Sequence, residues 1–172
     1  MVRSVFFGQI LMRAFKIPRS VLVLIHTPDL QFLLLKRVPK DVKGEFDVDF
    51  WQSVTGSLDA LDEPPLLAAK RELFEETGLN ADEYIFRDLQ HAVEYEIFEQ
   101  WRYRYAPCVT HNTEYQFAVC VPNTQVAVRL APNEHVAYQW LPFEQAADLC
   151  FSWNNAGAIR RVAAELSEQK FD

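Results

Sequence analysis

The chain has 172 residues, 49% of them apolar, which is enough for one domain with a sizeable core and short for two. Its formal charge of −7 argues against a nucleic acid polymer as partner, since phosphate backbones are bound by net basic surfaces; a small anionic substrate stays open if metal ions carry the contact. No apolar run approaches the ~18 residues that span a membrane, and Cys108, Cys120 and Cys150, an odd number at no metal-like spacing, read as buried, reduced thiols of a cytoplasmic protein.

In chain order, residues 1–13 carry an early Arg3 and a short apolar run broken by Gly8 and Gln9, with charge resuming at Arg13 and no small-x-small cleavage site. This reads as a loosely attached leader rather than an export signal, with the domain proper over 14–172. Ser20 to His26 and Gln31 to Lys36 are β-type runs joined by Thr27, Pro28 and Asp29, a hairpin. Lys16 before it and Arg37 after it stand at strand ends, where a side chain reaches either solvent or a cleft. Val38 to Asp49 is polar and without period, an exposed loop placed to act as a lid. Trp51 to Thr55 alternates large and polar residues as a half-buried strand that delivers Gly56 to the next loop.

Gly56 to Leu79 is the densest stretch. A helix is expected from about Pro64, since proline is tolerated in the first turn and Asp62 and Glu63 suit a helix N-terminus, with Gly78 as C-cap. Leu66, Ala69, Leu73 and Phe74 recur with the spacing of a face laid on a core. Glu72, Glu75 and Glu76 share one narrow arc at about 100° per residue. Such a run is either a solvated acidic face or a cation site, and repulsion of about 0.2–0.5 kcal/mol per i, i+4 pair is only partly offset by Arg71 pairing with Glu75. Oxygen-only ligands suit a hard ion, Mg²⁺ or Mn²⁺, of the kind shared with substrate phosphates.

Beyond Leu79, Asp88 to Phe98 reads as a strand with Val93, Tyr95 and Ile97 on an apolar face and Glu94 and Glu96 on an acidic one. Gln100 to Thr113 interleaves aromatic and basic residues around Trp101, Arg102, Tyr103, Arg104 and Tyr105, either a surface for stacking on a ring and pairing phosphates or a sheet edge with arginines in solvent. Glu114 to Val121 is a strand, Val126 to Leu130 a weaker one, and His135 to Leu141 another, directly after Glu134. Phe143 to Cys150 and Asn154 to Glu168 are helices, the second with Ala156, Ile159, Val162, Ala163 and Leu166 inward and Ser152 or Asn154 as N-cap. Strands, helix, strands, helices without β-α-β alternation predict an α+β domain, a mixed sheet between helices. No repeats or low-complexity segments occur.

Gly56, Glu63, Arg71, Glu72, Leu73, Glu75, Glu76, Gly78 and Leu79 together resemble the Nudix box, G-x5-E-x7-R-E-U-x-E-E-x-G-U with U aliphatic. One departure is present: six residues rather than five separate Gly56 from Glu63, which makes Asp62 an alternative for that acidic position. More specific blocks, F-W-Q-S-V-T-G-S from Phe50, V-E-Y-E-I-F from Val93, R-Y-A-P from Arg104, T-H-N-T-E from Thr110, E-H-V-A-Y-Q-W-L from Glu134 and S-W-N from Ser152, resemble the bacterial dihydroneopterin triphosphate pyrophosphatases, a Nudix subfamily of folate biosynthesis.

That resemblance implies the Nudix fold, in agreement with the element order. It implies Glu72, Glu76 and Glu134 as Mg²⁺ ligands, with Glu75 beside them, and substrate contacts at Lys16, Arg37, Thr55, Tyr95, Glu96, Ile97, Phe98 and Ser152. Glu75 or Glu134 would accept the proton of the attacking water and Arg71 would orient Glu75. The implied reaction is release of pyrophosphate from a triphosphate ester by a monomer or weak homo-oligomer. A housecleaning nucleoside triphosphate pyrophosphatase acting on dATP or an oxidised nucleotide, and a non-catalytic Nudix-like binding module, are the other readings.

Overall fold

The structure is a computed structural model that describes residues 15–38 and 49–168; the proposed leader and residues 39–48 of the proposed lid lie outside the described residues. β1 (Arg19–His26) and β2 (Gln31–Arg37) form the expected hairpin. The half-buried strand after the loop is two pieces, β3 (Trp51–Gln52) and β4 (Val54–Ser57). The break falls at Ser53, because β3 pairs with β2 and β4 with β1. Asn155 fixes the crossing point: its Oδ1 accepts from the Ser53 N–H at 2.7 Å while its Nδ2 donates to Ser53 Oγ at 2.9 Å, all buried.

Helix α1 spans Pro65–Thr77, followed by β5 (Ile85–Glu96), β6 (His111–Cys120), β7 (His135–Pro142), α2 (Phe143–Leu149) and α3 (Trp153–Glu168). The sheet runs β3-β2-β1-β6-β5, with β4 also on β1 and β7 on β2; β1 and β6 are parallel and the other pairs antiparallel. β1 is apolar almost throughout because both faces are covered. Val21, Val23 and Ile25 pack with Leu73 and Ala69 of α1, whereas Leu22 and Leu24 pack with Ala158, Ile159 and Val162 of α3. This is the expected α+β architecture, a mixed sheet between helices. Among the described residues no helix is long and apolar enough to cross a membrane.

Several expectations are corrected. Helix α1 does not bury Leu66 and Phe74, which are 42% and 51% exposed; its buried side is Ala68, Ala69, Glu72, Leu73, Glu76 and Thr77. The helix is turned so that two carboxylates enter the interior. No acidic residue lies in its first turn, since Glu63 bends to Arg71 instead. Val126, Val128 and Leu130 do pack on the core, which explains their alternation, but the segment is no strand: its Arg129 and Ala131 N–H groups bond the terminal carbonyls Thr77 and Glu76 of α1. The aromatic-basic stretch is a 3₁₀ turn, Glu99–Arg104, rather than a sheet edge. Asn154 lies inside α3, buried, and Ser152 precedes the helix, its carbonyl accepting from Ala156 N–H. The cysteines are free but none is buried: Cys108 is exposed in a turn at φ 73°, and Cys120 and Cys150 sit at element ends.

Candidate active site

The site begins with the two ends of α1. Pro64 supplies a fixed extended entry, and Gly78 ends the helix in the left-handed region at φ 72°, which glycine adopts without Cβ strain. Between them Glu72 and Glu76 lie one turn apart on the sheet side, and Glu75 stays on the rim. Glu72 fits only because position 56 has no side chain. A Cβ at Gly56 would stand 1.8 Å from the Glu72 carboxyl carbon. Burial pushes the Glu72 carboxyl up to about 7, against the pull of the Arg71 hydrogen bond.

Arg71 ties the loop before the helix to the carboxylates. Its guanidinium pairs with Glu63 at 3.1 and 3.2 Å, Asp59 at 3.2 Å, Glu72 at 2.8 Å and Glu75 at 3.3 Å, and donates to the Ser57 carbonyl at 3.2 Å. Burial opposes this charge, but the hydrogen bonds to Glu63 and Glu72 outweigh it and hold the guanidinium firmly protonated. Glu63 also accepts from the Asp59 N–H at 2.6 Å, so the extra loop residue is absorbed and Glu63, not Asp62, meets Arg71.

The segment anchored to the end of α1 delivers the next group. Ala131 is held by the Glu76 carbonyl, and its own carbonyl accepts from the N–H groups of Glu134 and of His135, the first residue of β7. His135 Nε2 lies 2.8 Å from Glu76 Oε2, both side chains 1% exposed. Burial raises the Glu76 carboxyl, with the His135 contact opposing it. Ligand atoms of Glu76, Glu134 and His135 all fall within 4.8 Å of one another. Sequence reasoning assigned no role to His135; its place directly after Glu134 at a strand start was the only signal.

The same cavity holds the Lys16 and Arg37 cations. Lys16 N–H bonds the Arg104 carbonyl at 2.8 Å and its Nζ lies 3.4 Å from Ser57 Oγ. Burial, then the neighbouring Arg104 and Arg37, bring the Lys16 amine down to about 8, so it holds its proton more weakly than a surface lysine. Arg37 is likewise lowered by burial and sits over the Phe50 ring at 5.9 Å. Phe50 stacks on Phe151 at 4.2 Å, with Trp101 and Phe98 completing an aromatic wall.

These groups share one cavity of about 1600 Å³. Of the residues singled out in the sequence, Lys16, Arg37, Thr55, Arg71, Glu72, Glu75, Tyr95, Glu96, Ile97, Phe98, Glu134 and Ser152 line it; Glu76 lies behind, against His135. The donor set fits a hard divalent cation, because it is all oxygen and a cation relieves the burial that raises the Glu72 and Glu76 carboxyls. Glu72, Glu76 and Glu134 would hold it, with His135 orienting Glu76 through its hydrogen bond.

The NUDIX domain model matches residues 16–162. The dihydroneopterin triphosphate diphosphatase of Escherichia coli strain K12 is 39% identical over 151 residues, 87% of this chain and 94% of that protein. The protein of the same name from Haemophilus influenzae is 37% identical over 158 residues, covering 91% and 94%. The solved structure of the E. coli dihydroneopterin triphosphate pyrophosphohydrolase superposes with a TM-score of 0.73 at 39% identity, over 86% of this chain and 95% of that one. A Caenorhabditis elegans Ap4A hydrolase shares the fold alone, at a TM-score of 0.65 and 18% identity. Fold, box geometry and a match spanning most of the sequence agree, and the chain belongs to the Nudix family.

Proposed function

We propose that this chain is a divalent-metal-dependent pyrophosphohydrolase that converts 7,8-dihydroneopterin 3′-triphosphate and water into dihydroneopterin monophosphate and pyrophosphate, a step of folate biosynthesis. The observation that carries the reading is that the Glu72 and Glu134 carboxylates, the Lys16 and Arg37 cations and an aromatic wall all line one cavity. The names of the E. coli and H. influenzae relatives support the substrate.

Hydrolysis of a triphosphate is slow chiefly because its oxygens repel the nucleophile, so the site must neutralise charge and place water in line. When bound, Mg²⁺ or Mn²⁺ supplies positive charge to the phosphate oxygens and acidifies water. Lys16 and Arg37 bind the remaining phosphate oxygens, and Thr55, Ser152 and the Tyr95, Glu96, Ile97 and Phe98 segment hold the ester and its ring. Glu75 or Glu134 takes the proton of the attacking water, and Arg71, ion-paired to Glu75, fixes its direction. One water adds across a phosphoanhydride bond and pyrophosphate leaves.

The proposal includes a single domain over 14–172 that works in the cytoplasm as a monomer or weak homo-oligomer, on a small triphosphate rather than a nucleic acid polymer. Its test is pyrophosphate release from dihydroneopterin triphosphate, dATP and 8-oxo-dGTP, with Mg²⁺ and with chelator. Preference for the pterin, lost on chelation, is expected; higher kcat/KM on either purine substrate would make the chain a nucleotide-cleansing enzyme instead. Glu76→Gln at saturating Mg²⁺ should lose most turnover, and near-native release would reject the ligand assignment.

A further inference from the structure

Glu114 is a buried carboxylate that neither the box nor the phosphate chemistry uses. It lies in the interior strand β6, paired with Ser20 of β1 and Val93 of β5, and is 7% exposed while still lining the cavity. Among the described residues no cation pairs with it. Gln116, two residues along the same face, bonds it on one side. Arg161 of α3 donates to the Gln116 carbonyl oxygen, which turns the Gln116 amide N–H₂ toward Glu114. Glu114 Oε1 has no hydrogen-bond partner among the described residues. An uncompensated buried acceptor is costly, and burial pushes this carboxyl up to about 7. Asn154 Oδ1, also buried and lining the same cavity, is a second unpartnered acceptor.

The position in the sheet relates Glu114 to the phosphate end. Ser20 pairs with Glu114 on one side and with Ser57 on the other, and Ser57 adjoins Gly56 and Lys16 Nζ. Two strand spacings, roughly 10 Å, therefore separate the Glu114 backbone from Ser57, the residue of β4 that meets Lys16 Nζ. A bicyclic ring with a short side chain spans that interval.

We propose that Glu114 selects the ring of the substrate: its carboxylate accepts two parallel hydrogen bonds from adjacent N–H donors of a 2-amino-4-oxopyrimidine ring, the ring N3–H and the 2-amino group. Pterins present that pair of donors, and guanine presents its equivalent, N1–H with the 2-amino group. Adenine presents one donor beside an acceptor, which would face the carboxylate with a lone pair. The assignment rests on the proposed triphosphate chemistry for its orientation, Glu114 at the ring end and Glu72 at the phosphate end. A site built to hydrogen-bond discriminates strongly against the ring that cannot answer it.

Two measurements test this. In the Mg²⁺-loaded enzyme, Glu114→Gln replaces one acceptor oxygen by a donor, and the ratio of kcat/KM for dihydroneopterin triphosphate to that for dATP should fall about 10- to 100-fold, mainly through KM. An unchanged ratio overturns the proposal. The second measurement needs no variant. Unphosphorylated 7,8-dihydroneopterin should bind the wild-type protein about 10- to 100-fold more tightly than its 2-oxo counterpart lacking the amino group; equal affinities overturn the proposal. Because the second assay involves no hydrolysis, ring recognition without pyrophosphate release would refute the reaction and leave Glu114 standing, and turnover without ring discrimination would do the reverse.

Discussion

Gly56→Ala is the sharpest perturbation of this site, because one methyl group is aimed at one carboxylate. The added Cβ would lie 1.8, 1.9 and 2.3 Å from Cδ, Oε1 and Oε2 of Glu72. Gly56 pairs with Val21 inside β4 and is not among the positive-φ residues, so alanine fits the backbone and the whole conflict falls on Glu72. Ordinary contact requires the carboxylate to retreat by about 1.5 Å or more. Mg²⁺ tolerates little departure from ligand distances of about 2.1 Å, and a misplacement of about 1 Å typically costs ~100-fold in rate. We therefore expect kcat/KM to fall at least ~100-fold, near 3 kcal/mol of transition-state stabilisation. The melting temperature should move by only a few degrees, since Glu72 relieves its own burial when it swings out while losing the 2.8 Å bond to Arg71. The assay is pyrophosphate release against Mg²⁺ concentration, with a thermal melt of the same samples. Repeating the substitution in a Glu72→Ala background should remove its effect on the Mg²⁺-induced rise in Tm, because the clash is gone. Gly56→Ala with more than half of wild-type activity, or with the same effect when Glu72 is absent, would refute the reasoning.

Three further outcomes are expected. In the chelated protein, Glu72 and Glu114, displaced from 4.5 to about 7 by burial, each contribute on the order of 3 kcal/mol that is fully present below the unfolded value and lost as pH rises through the folded one. Tm in chelator should therefore fall by about 10 °C from pH 5 to 8, and less with Mg²⁺; a rise over that interval contradicts the assignment. Arg71→Lys cannot reproduce a fork that meets Glu63, Glu72 and Glu75 together, so kcat/KM should drop roughly 10- to 100-fold, and retained activity would reduce Arg71 to an ordinary ion pair. His135→Ala removes the partner of buried Glu76 and should raise the Mg²⁺ concentration for half-maximal activity about 10- to 100-fold, with recovery at high Mg²⁺; an unchanged Mg²⁺ dependence would show that His135 does not position the ligand.

The sequence alone determined what depends on neighbours along the chain. The hairpin, the span of α1 between Pro64 and Gly78, the inner face of α3 and the box spacing that sets Glu72 and Glu76 one turn apart are all local, governed by backbone propensity and helical period. Periodicity failed where burial follows function rather than hydrophobicity: α1 leaves Leu66 and Phe74 in solvent and takes Glu72 and Glu76 inside, because the sheet it packs on offers Gly56 and His135 as their neighbours. It failed again at Val126 to Leu130, whose alternating pattern is that of a strand but whose backbone bonds run to the end of a helix. Only the tertiary structure could bring His135 to Glu76 and set Glu114 across β1 from Ser57 and Lys16. Those relations join residues 59 or more positions apart or lie across strands, and the free energy of a buried charge is fixed by what surrounds it in space, which no reading along the chain contains.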